Sequence, residues 1–465
     1  FQVFPKLIAY DDVRVRIDYP ASMWAQYEAR GMREEEKAEK DGRKVVAWRY
    51  SNPQPQKSLR RNYSVYDPDK EVGFAFSTFK TYADIATAYG ARALPKAAVT
   101  ERIQRLAAEI AKDKVSQADQ ARALYEWVAK NITYAGNCIG IGAVVPRDLS
   151  FVLDNRMGDC KDHATLLQAL LAARGIKGTQ ALVNGGSVYR LQKIPVVSAV
   201  NHVINHISSL DLFVDSTSNW TPFGMLPYGV QDKPVLLVEG ARGGEKTPVP
   251  PPGANRQRIR SELKISQDGS ITGTIEVHQK GQSAVQTRAW ARRMTKDMEE
   301  DFVKHTFRQQ GMVGRGKFEK EHPTELSDAY RYKIHFTLER FTHLPGAGVF
   351  YINPLGGAES IQHALQPEME LEEQDIACTG GVLVEDYVIE LPKTVKVLSV
   401  PDDMKVANSF LEYKATYELK GNVLTVHRSL DDRTKGNVCG PQLLAEYKKL
   451  AEQAADNLRE QVLYK

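Results

Sequence analysis

Residues 156–176 read RMGDCKDHATLLQALLAARGI, and the reading of this stretch decides the fold. Asp159 is a good helix N-cap, and Asp162 follows it by three residues, the spacing of a capping box. The segment therefore predicts a helix that begins at Cys160 and runs to Arg174, where Gly175 stops it. A cysteine at the first helical position feels the positive end of the helix dipole and unpaired backbone N–H groups. Both favour thiolate over thiol, and the same N–H groups can stabilise an oxyanion on a bound carbonyl. A cysteine at a helix start is weak evidence alone, so a partner must be found.

A thiolate nucleophile needs a base to hold its proton and later protonate a leaving group. Residues 200–217, VNHVINHISSLDLFVDST, offer one. With SSLD as the turn, one strand carries His202 and the next carries Asp215. A hairpin centred between Ser208 and Ser209 sets these two directly opposite each other. Opposed side chains share a face with Cβ atoms about 5 Å apart. In that arrangement a carboxylate orients an imidazole and fixes its tautomer. The alternative is a cross-strand polar pair with no catalytic duty. The same register sets His206 opposite Asp211 beside the turn, where a surface role is expected. His163, in the first helical turn, is read as helix surface.

Outward from this core, Thr100 caps a helix through residues 101–112, and Ser116 with Asp119 caps another through 121–132. A Gly-, Asn- and Pro-containing loop joins Gly136 to Pro146. Residues 1–76 read as β-rich: VRVRIDYP (13–20) alternates with the period of a strand, and KVVAWRYS (44–51) is a second. Between them, REEEKAEKDGRK (33–44) is read as a solvated helix end and hairpin tip with Asp41-Gly42 as the turn. The segment is short for a self-standing sandwich and is read as the tail of a larger β domain.

Residues 241–256 are a Gly- and Pro-rich linker. Beyond it, 257–465 form a β-rich domain with helices. It opens with a hairpin turning at Asp268-Gly269 and continues with one long helix over 283–311. Four strands follow, at 330–340, 382–392, 410–419 and 422–430, then a terminal helix over 441–462.

The formal charge of +4 on 465 residues gives no electrostatic reason for nucleic-acid binding, and no run of 18 apolar residues spans a membrane. The histidines show no H-E-x-x-H or similar metal spacing, so neither metal nor other cofactor is required. None of Cys138, Cys160, Cys378 and Cys439 forms a C-x-x-C pair. Cys378 and Cys439 each lie by glycine in turn-like sequence, and in an oxidising compartment they are the best disulfide pair; two free thiols are the alternative. Cys138 is read as an unreactive buried thiol.

Residues 77–240 resemble a bacterial transglutaminase-like domain of the papain-like cysteine superfamily. The resemblance rests on the 158–176 helix, on NHVI (201–204) followed by VDST (214–217), and on YEWVAKNITY (125–134) before the nucleophile helix. It implies an α+β multidomain chain, a papain-like transglutaminase core between an N-terminal β-rich segment and a C-terminal β domain with helices. It also implies a catalytic triad of Cys160, His202 and Asp215. Tyr134 and Asn137, in the loop before the helix, are candidates to assist the oxyanion hole, and Trp220 is a candidate to line a substrate cleft; an ordinary structural role is the alternative for each. Residue 200 is Val, where many relatives have an aromatic, a difference expected to affect packing only.

The implied chemistry is acyl transfer or amide hydrolysis on peptide or protein substrates through a thioester. Water as acceptor makes a peptidase, and an amine makes a transglutaminase. The resemblance implies a periplasmic, secreted or cell-surface setting, with cell-wall peptides among the plausible substrates. The rival reading is an inactive scaffold whose β domains bind a protein or glycan partner. Oligomeric state is not legible in the sequence.

Overall fold

The computed structural model describes residues 1–55, 64–136, 140–240, 244–366 and 374–465. It divides into two compact units, Phe1–Pro248 and Val249–Lys465. The chain is a mixed α+β multidomain protein. Of the 241–256 segment, residues 241–243 lie outside the described residues, and a strand begins at Arg256.

The first unit opens with two antiparallel three-stranded sheets. One pairs Tyr10–Pro20 with Arg43–Asn52 and that strand with Arg33–Lys40. The charge run at 33–40 is therefore a strand and not a helix end. All eight of its residues are exposed, so it has no apolar alternation to announce it. Asp41 and Gly42 form its turn, both at positive φ (54° and 71°), as a two-residue hairpin of the I′ kind requires. The second sheet joins Gln2–Val3, Gly73–Ser77 and Gln26–Arg30.

Five helices follow: Tyr82–Ala93, Glu101–Ala111, Gln117–Asn131, Leu149–Asn155 and Cys160–Ala172. The second and third begin at the Thr100 and Ser116 caps, whose side chains accept from Ile103 N and Asp119 N. The first was not foreseen, although Thr81 and Asp84 give it a full capping box. The helix from Cys160 is the centre of the unit: every residue from Lys161 to Leu171 is buried. Leu166, Leu167, Leu170 and Leu171 pack with Ile103, Leu124, Val128, Ile207 and Val214. A four-stranded antiparallel sheet, ordered Leu212–Val214, His202–Ile207, Thr179–Val183, Val235–Leu237, completes it.

The second unit is built on an eight-stranded sheet. Its order is Val313–Lys320, Ala329–Glu339, Ile271–Lys280, Arg256–Ile265, Gly381–Glu390, Val423–Asp432, Leu411–Lys420, Met404–Ala407; only the Arg256–Ile265 and Gly381–Glu390 pair is parallel. The strand Arg256–Ile265 alternates exposed and buried along its whole length, the signature of a sheet covered on one face. The single helix expected at 283–311 is two, Gln282–Arg293 and Lys296–Gln309. Thr295 takes an extended backbone and caps the second through Met298 N, and this local hydrogen bond competes with helix continuation. The terminal helix ends at Arg459, and Gln461–Tyr464 is a strand between Gly348–Tyr351 and Val397–Ser399.

Cys378 and Cys439 are joined by a disulfide across 61 residues of sequence, with Cα atoms 5.8 Å apart. A link that closes so long a loop removes many unfolded conformations. Cys378→Ser with Cys439→Ser is expected to destabilise the second unit by about 2–4 kcal/mol. Urea unfolding of both forms measures this; equal midpoints would show the link to be dispensable.

Candidate active site

The Cys160 helix starts where its sequence said. Asp159 is extended, its side chain accepts from Asp162 N, and the Asp162 carboxylate accepts from Asp159 N, closing the capping box. Cys160 is half-buried, the least covered residue from Asp159 to Leu171. Among the described residues it is the free cysteine.

Its flanks are more charged and more buried than sequence reasoning foresaw. Asp162 is wholly buried and accepts from Arg147 N (2.7 Å) and Arg147 Nε (2.8 Å). Lys161, also buried, donates to Asp159 at 2.5 Å. Two cations meet two carboxylates, so these flanking pairs balance in charge. Buried charges persist only when paired and hydrogen-bonded. Asp162→Ala leaves Arg147 and two backbone N–H groups without their acceptor. It should cost about 3 kcal/mol of stability, measured by thermal or urea unfolding; a loss below about 1 kcal/mol would mean that water replaces the carboxylate.

The strand His202–Ile207 runs beside this helix, and Asn205 Nδ2 donates to Ala164 O (2.9 Å). Its partner strand pairs Asn205 with Val214, His206 with Phe213 and Ile207 with Leu212. The hairpin is thus centred between Ser209 and Leu210, not between Ser208 and Ser209. Asp211, at φ 48°, helps to close the four-residue loop. Asp215 therefore lies diagonally to His202 and not opposite it. A shift of two residues leaves a side chain on its face, because the strand period is two. His202 Nε2 still meets Asp215 Oδ2 at 2.9 Å.

Asp215 is buried and is held by Thr217 N (3.1 Å) and Thr217 Oγ1 (2.6 Å), while its backbone carbonyl accepts from Tyr125 Oη (3.2 Å). Burial alone would push its carboxyl up; the His202 charge, that hydrogen bond and Thr217 outweigh it and hold it below the usual range. Burial likewise disfavours a charged His202. The Asp215 charge and hydrogen bond, reinforced by Cys160 as hydrogen-bond partner and charge, raise the imidazole to about 10. An ionised carboxylate only accepts, so Nε2 carries the proton toward Asp215 and Nδ1 is the ring nitrogen left for Cys160.

The structure thus brings Cys160, His202 and Asp215 together. Tyr134 is brought near them by backbone: Thr133–Tyr134 pairs in parallel with Met157–Gly158, immediately before the Cys160 helix. Its side chain is half-exposed and lies 6.1 Å from the His163 ring. Trp220 is half-buried in the loop after Asp215. Asn137 and Cys138 lie outside the described residues. Val200 packs in the apolar cluster that includes Cys160, Ala164 and Val203.

Two histidines differ from expectation. His163 is buried, not helix surface: Nδ1 donates to Ser216 O (3.0 Å), and burial pushes its basicity down. It thereby ties the helix to the residue after Asp215. His206 is largely covered, packs at a tilt against Phe213 with ring centroids 4.5 Å apart and reaches Asp211 at 3.4 Å. Tyr89 was missed because its helix was missed. Its hydroxyl donates to Gln180 Oε1 (2.6 Å), and it lies close enough to Cys160 for that charge, after burial, to disfavour its ionisation. The Thr81–Asp84 spacing was the available signal.

A family model described as the transglutaminase-like superfamily matches residues 104–222, a span that contains all three residues. A second, described as a domain of unknown function (DUF3858), matches residues 379–464. No curated protein matches the chain. Among solved structures, one described as a "putative protease" from Parabacteroides distasonis is similar with a TM-score of 0.62. Its identity is 11%, over 99% of this chain and 74% of that one; the likeness is one of fold. A "putative cysteine protease" from Cytophaga hutchinsonii aligns at 13% identity over 45% of this chain and 66% of that one, with a TM-score of 0.21.

Proposed function

Because the chain carries a transglutaminase-like core domain at residues 104–222 and a DUF3858 domain at 379–464, we propose that it is a cysteine-dependent acyl-transfer enzyme acting on peptide or protein amides. The observation that carries this reading is the 2.9 Å contact of His202 with buried Asp215 beside a helix-starting cysteine. Cys160 Sγ attacks the substrate carbonyl carbon, forming a C–S bond and an oxyanion that faces the helix N-terminus. The intermediate collapses with cleavage of the C–N bond, and His202 delivers its proton to the departing amine. Water or a second amine then attacks the thioester and gives its proton to His202, and Cys160 leaves as thiolate. Asp215 holds the imidazole in the tautomer that presents Nδ1 to sulfur and stabilises its charged form. Water as acceptor makes the enzyme a peptidase, in keeping with the description of the Parabacteroides distasonis protein as a protease; an amine makes it a transamidase.

The setting proposed is periplasmic, secreted or cell-surface, because the Cys378–Cys439 link belongs to oxidising compartments. Among the described residues no helix is long and apolar enough to cross a membrane.

The test is acid-quenched mass spectrometry of the protein after exposure to a library of peptide amides, with and without added primary amine. An acyl adduct should form on Cys160, disappear in Cys160→Ala, and partition into hydrolysed and aminated products. No adduct on Cys160, together with alkylation no faster than free cysteine, would sink the reading in favour of a binding scaffold.

A further inference from the structure

The second unit contains a cleft of about 850 Å³, within the range of ligand sites. Its walls come from the Gln282–Arg293 and Lys296–Gln309 helices, from the sheet and from the loop at Gly357–Glu359. Two glutamines of the lining, Gln257 and Gln279, are cross-strand partners, 3% and 6% exposed. Gln257 Nε2 donates to the Glu359 backbone carbonyl (2.7 Å), and Gln279 Nε2 donates to Gln257 Oε1 (2.9 Å). The direction of this relay is fixed, because a carbonyl only accepts. It ends at Gln279 Oε1, a buried acceptor with no hydrogen-bond partner. An acceptor left unmade in such a place is costly, and Gln279 lines the cleft, so a donor brought in by a ligand would complete the relay.

The rest of the lining says what carries that donor. The first helix turns Ser283, Gln286, Thr287 and Trp290 to the cleft, residues at one-face helical spacing. The Trp290 ring packs on Phe302 at 5.1 Å, and Met294 and half-exposed Met298 extend an apolar wall. The second helix adds Asp297 and Asp301, and the loop adds Glu359. The fixed charges on this lining are therefore all carboxylates. Asp301 is shared with Lys304 at 3.3 Å, which leaves Asp297 and Glu359 as the stronger anionic pair.

We propose that this cleft binds a short peptide segment bearing a basic side chain. A backbone N–H of the segment donates to Gln279 Oε1, an apolar residue lies on Trp290 and Met298, and a lysine or arginine meets Asp297 and Glu359. A peptide supplies these three features within a few residues, whereas a neutral sugar would use the amides and the tryptophan but leave the carboxylates unanswered. The site is independent of the chemistry at Cys160.

The test uses the full chain carrying Cys160→Ala, so that no peptide is consumed, titrated with acetyl-Lys-Leu-Lys-amide in a calorimeter. Saturable binding is expected, weakened about tenfold by Gln279→Met, which keeps length and removes the acceptor. The double variant Asp297→Asn with Glu359→Gln lies on the exposed rim and spares the core. It should weaken binding by a similar factor and flatten its salt dependence. Replacing both peptide lysines by glutamine should do the same in the unaltered cleft. Equal binding by the parent and the rim variant would place the peptide elsewhere and overturn the proposal. Gln279-dependent binding of chitotriose in place of the peptide would overturn its ligand class, and no binding of either probe would overturn the site.

Discussion

His202→Ala is expected to abolish the proposed acyl transfer, by at least about 10³-fold, and to slow alkylation of Cys160 near neutral pH, while His206→Ala should change either rate by less than about threefold. Both histidines stand on one face of one strand, so sequence position does not separate them. Their surroundings do. His202 Nε2 is 2.9 Å from an Asp215 carboxylate that is buried and held by Thr217, and Cys160 acts on the same ring. His206 faces Asp211, whose side chain is almost fully exposed, at 3.4 Å. Water screens that second pair, and the four-residue step from one histidine to the other amounts to about 13 Å of strand. Steady-state rates with a thioester-forming substrate and pH-resolved iodoacetamide labelling make the comparison. The reverse ranking would remove His202 and Asp215 from the mechanism together.

Asp215→Asn is expected to give the second large effect, a loss on the order of 10²–10⁴ in the proposed acyl-transfer rate with little change in fold. The amide keeps the shape but removes the charge that outweighs the burial of His202. Without it, burial disfavours the imidazolium, and the ring's proton affinity falls from about 10 back toward or below the ordinary 6.5. Alkylation of Cys160 at neutral pH should therefore slow. Stability follows with a definite sign. His202 is raised in the folded state, so its contribution is full below about pH 6.5 and is lost as pH rises through about 10. Asp215 is lowered, so its contribution is present above the ordinary carboxylate value and is lost as pH falls through its folded value. The stability gap between the parent and Asp215→Asn should be widest between roughly pH 5 and 6.5 and should close toward pH 10. Urea midpoints across that range test it; a gap that widens above pH 8 would contradict the charge pairing described here.

How far the sequence reached can be judged from these same residues. The helix start at Cys160 was legible because a capping box is local: Asp159 and Asp162 satisfy each other's backbone within one turn. The strand at 13–20 was legible because one face is covered and alternation records it; the hairpin at 262–279 was legible from its Asp268-Gly269 turn. The 33–40 strand left no such record, since both its faces meet water. Its cross-strand contacts are surface ion pairs such as Arg16–Glu36 at 3.4 Å, which contribute little.

By itself, then, the sequence determined the chemistry available to this protein: a cysteine at a helix N-terminus, and a histidine and an aspartate on one face of a hairpin. The face survived an error of two residues in register, because alternation has period two. Only the tertiary structure decided which polar groups leave water. Asp159, Lys161, Asp162 and His163 form a run that composition assigns to a solvated surface, yet all four are buried. Their partners, Arg147 and the Ser216 carbonyl, arrive from 15 and 53 residues away. Burial depends on those distant contacts, and no local pattern encodes them. The same holds for Gln257 and Gln279, two ordinary strand glutamines until the sheet and the Gly357–Glu359 loop enclose them and leave one acceptor open.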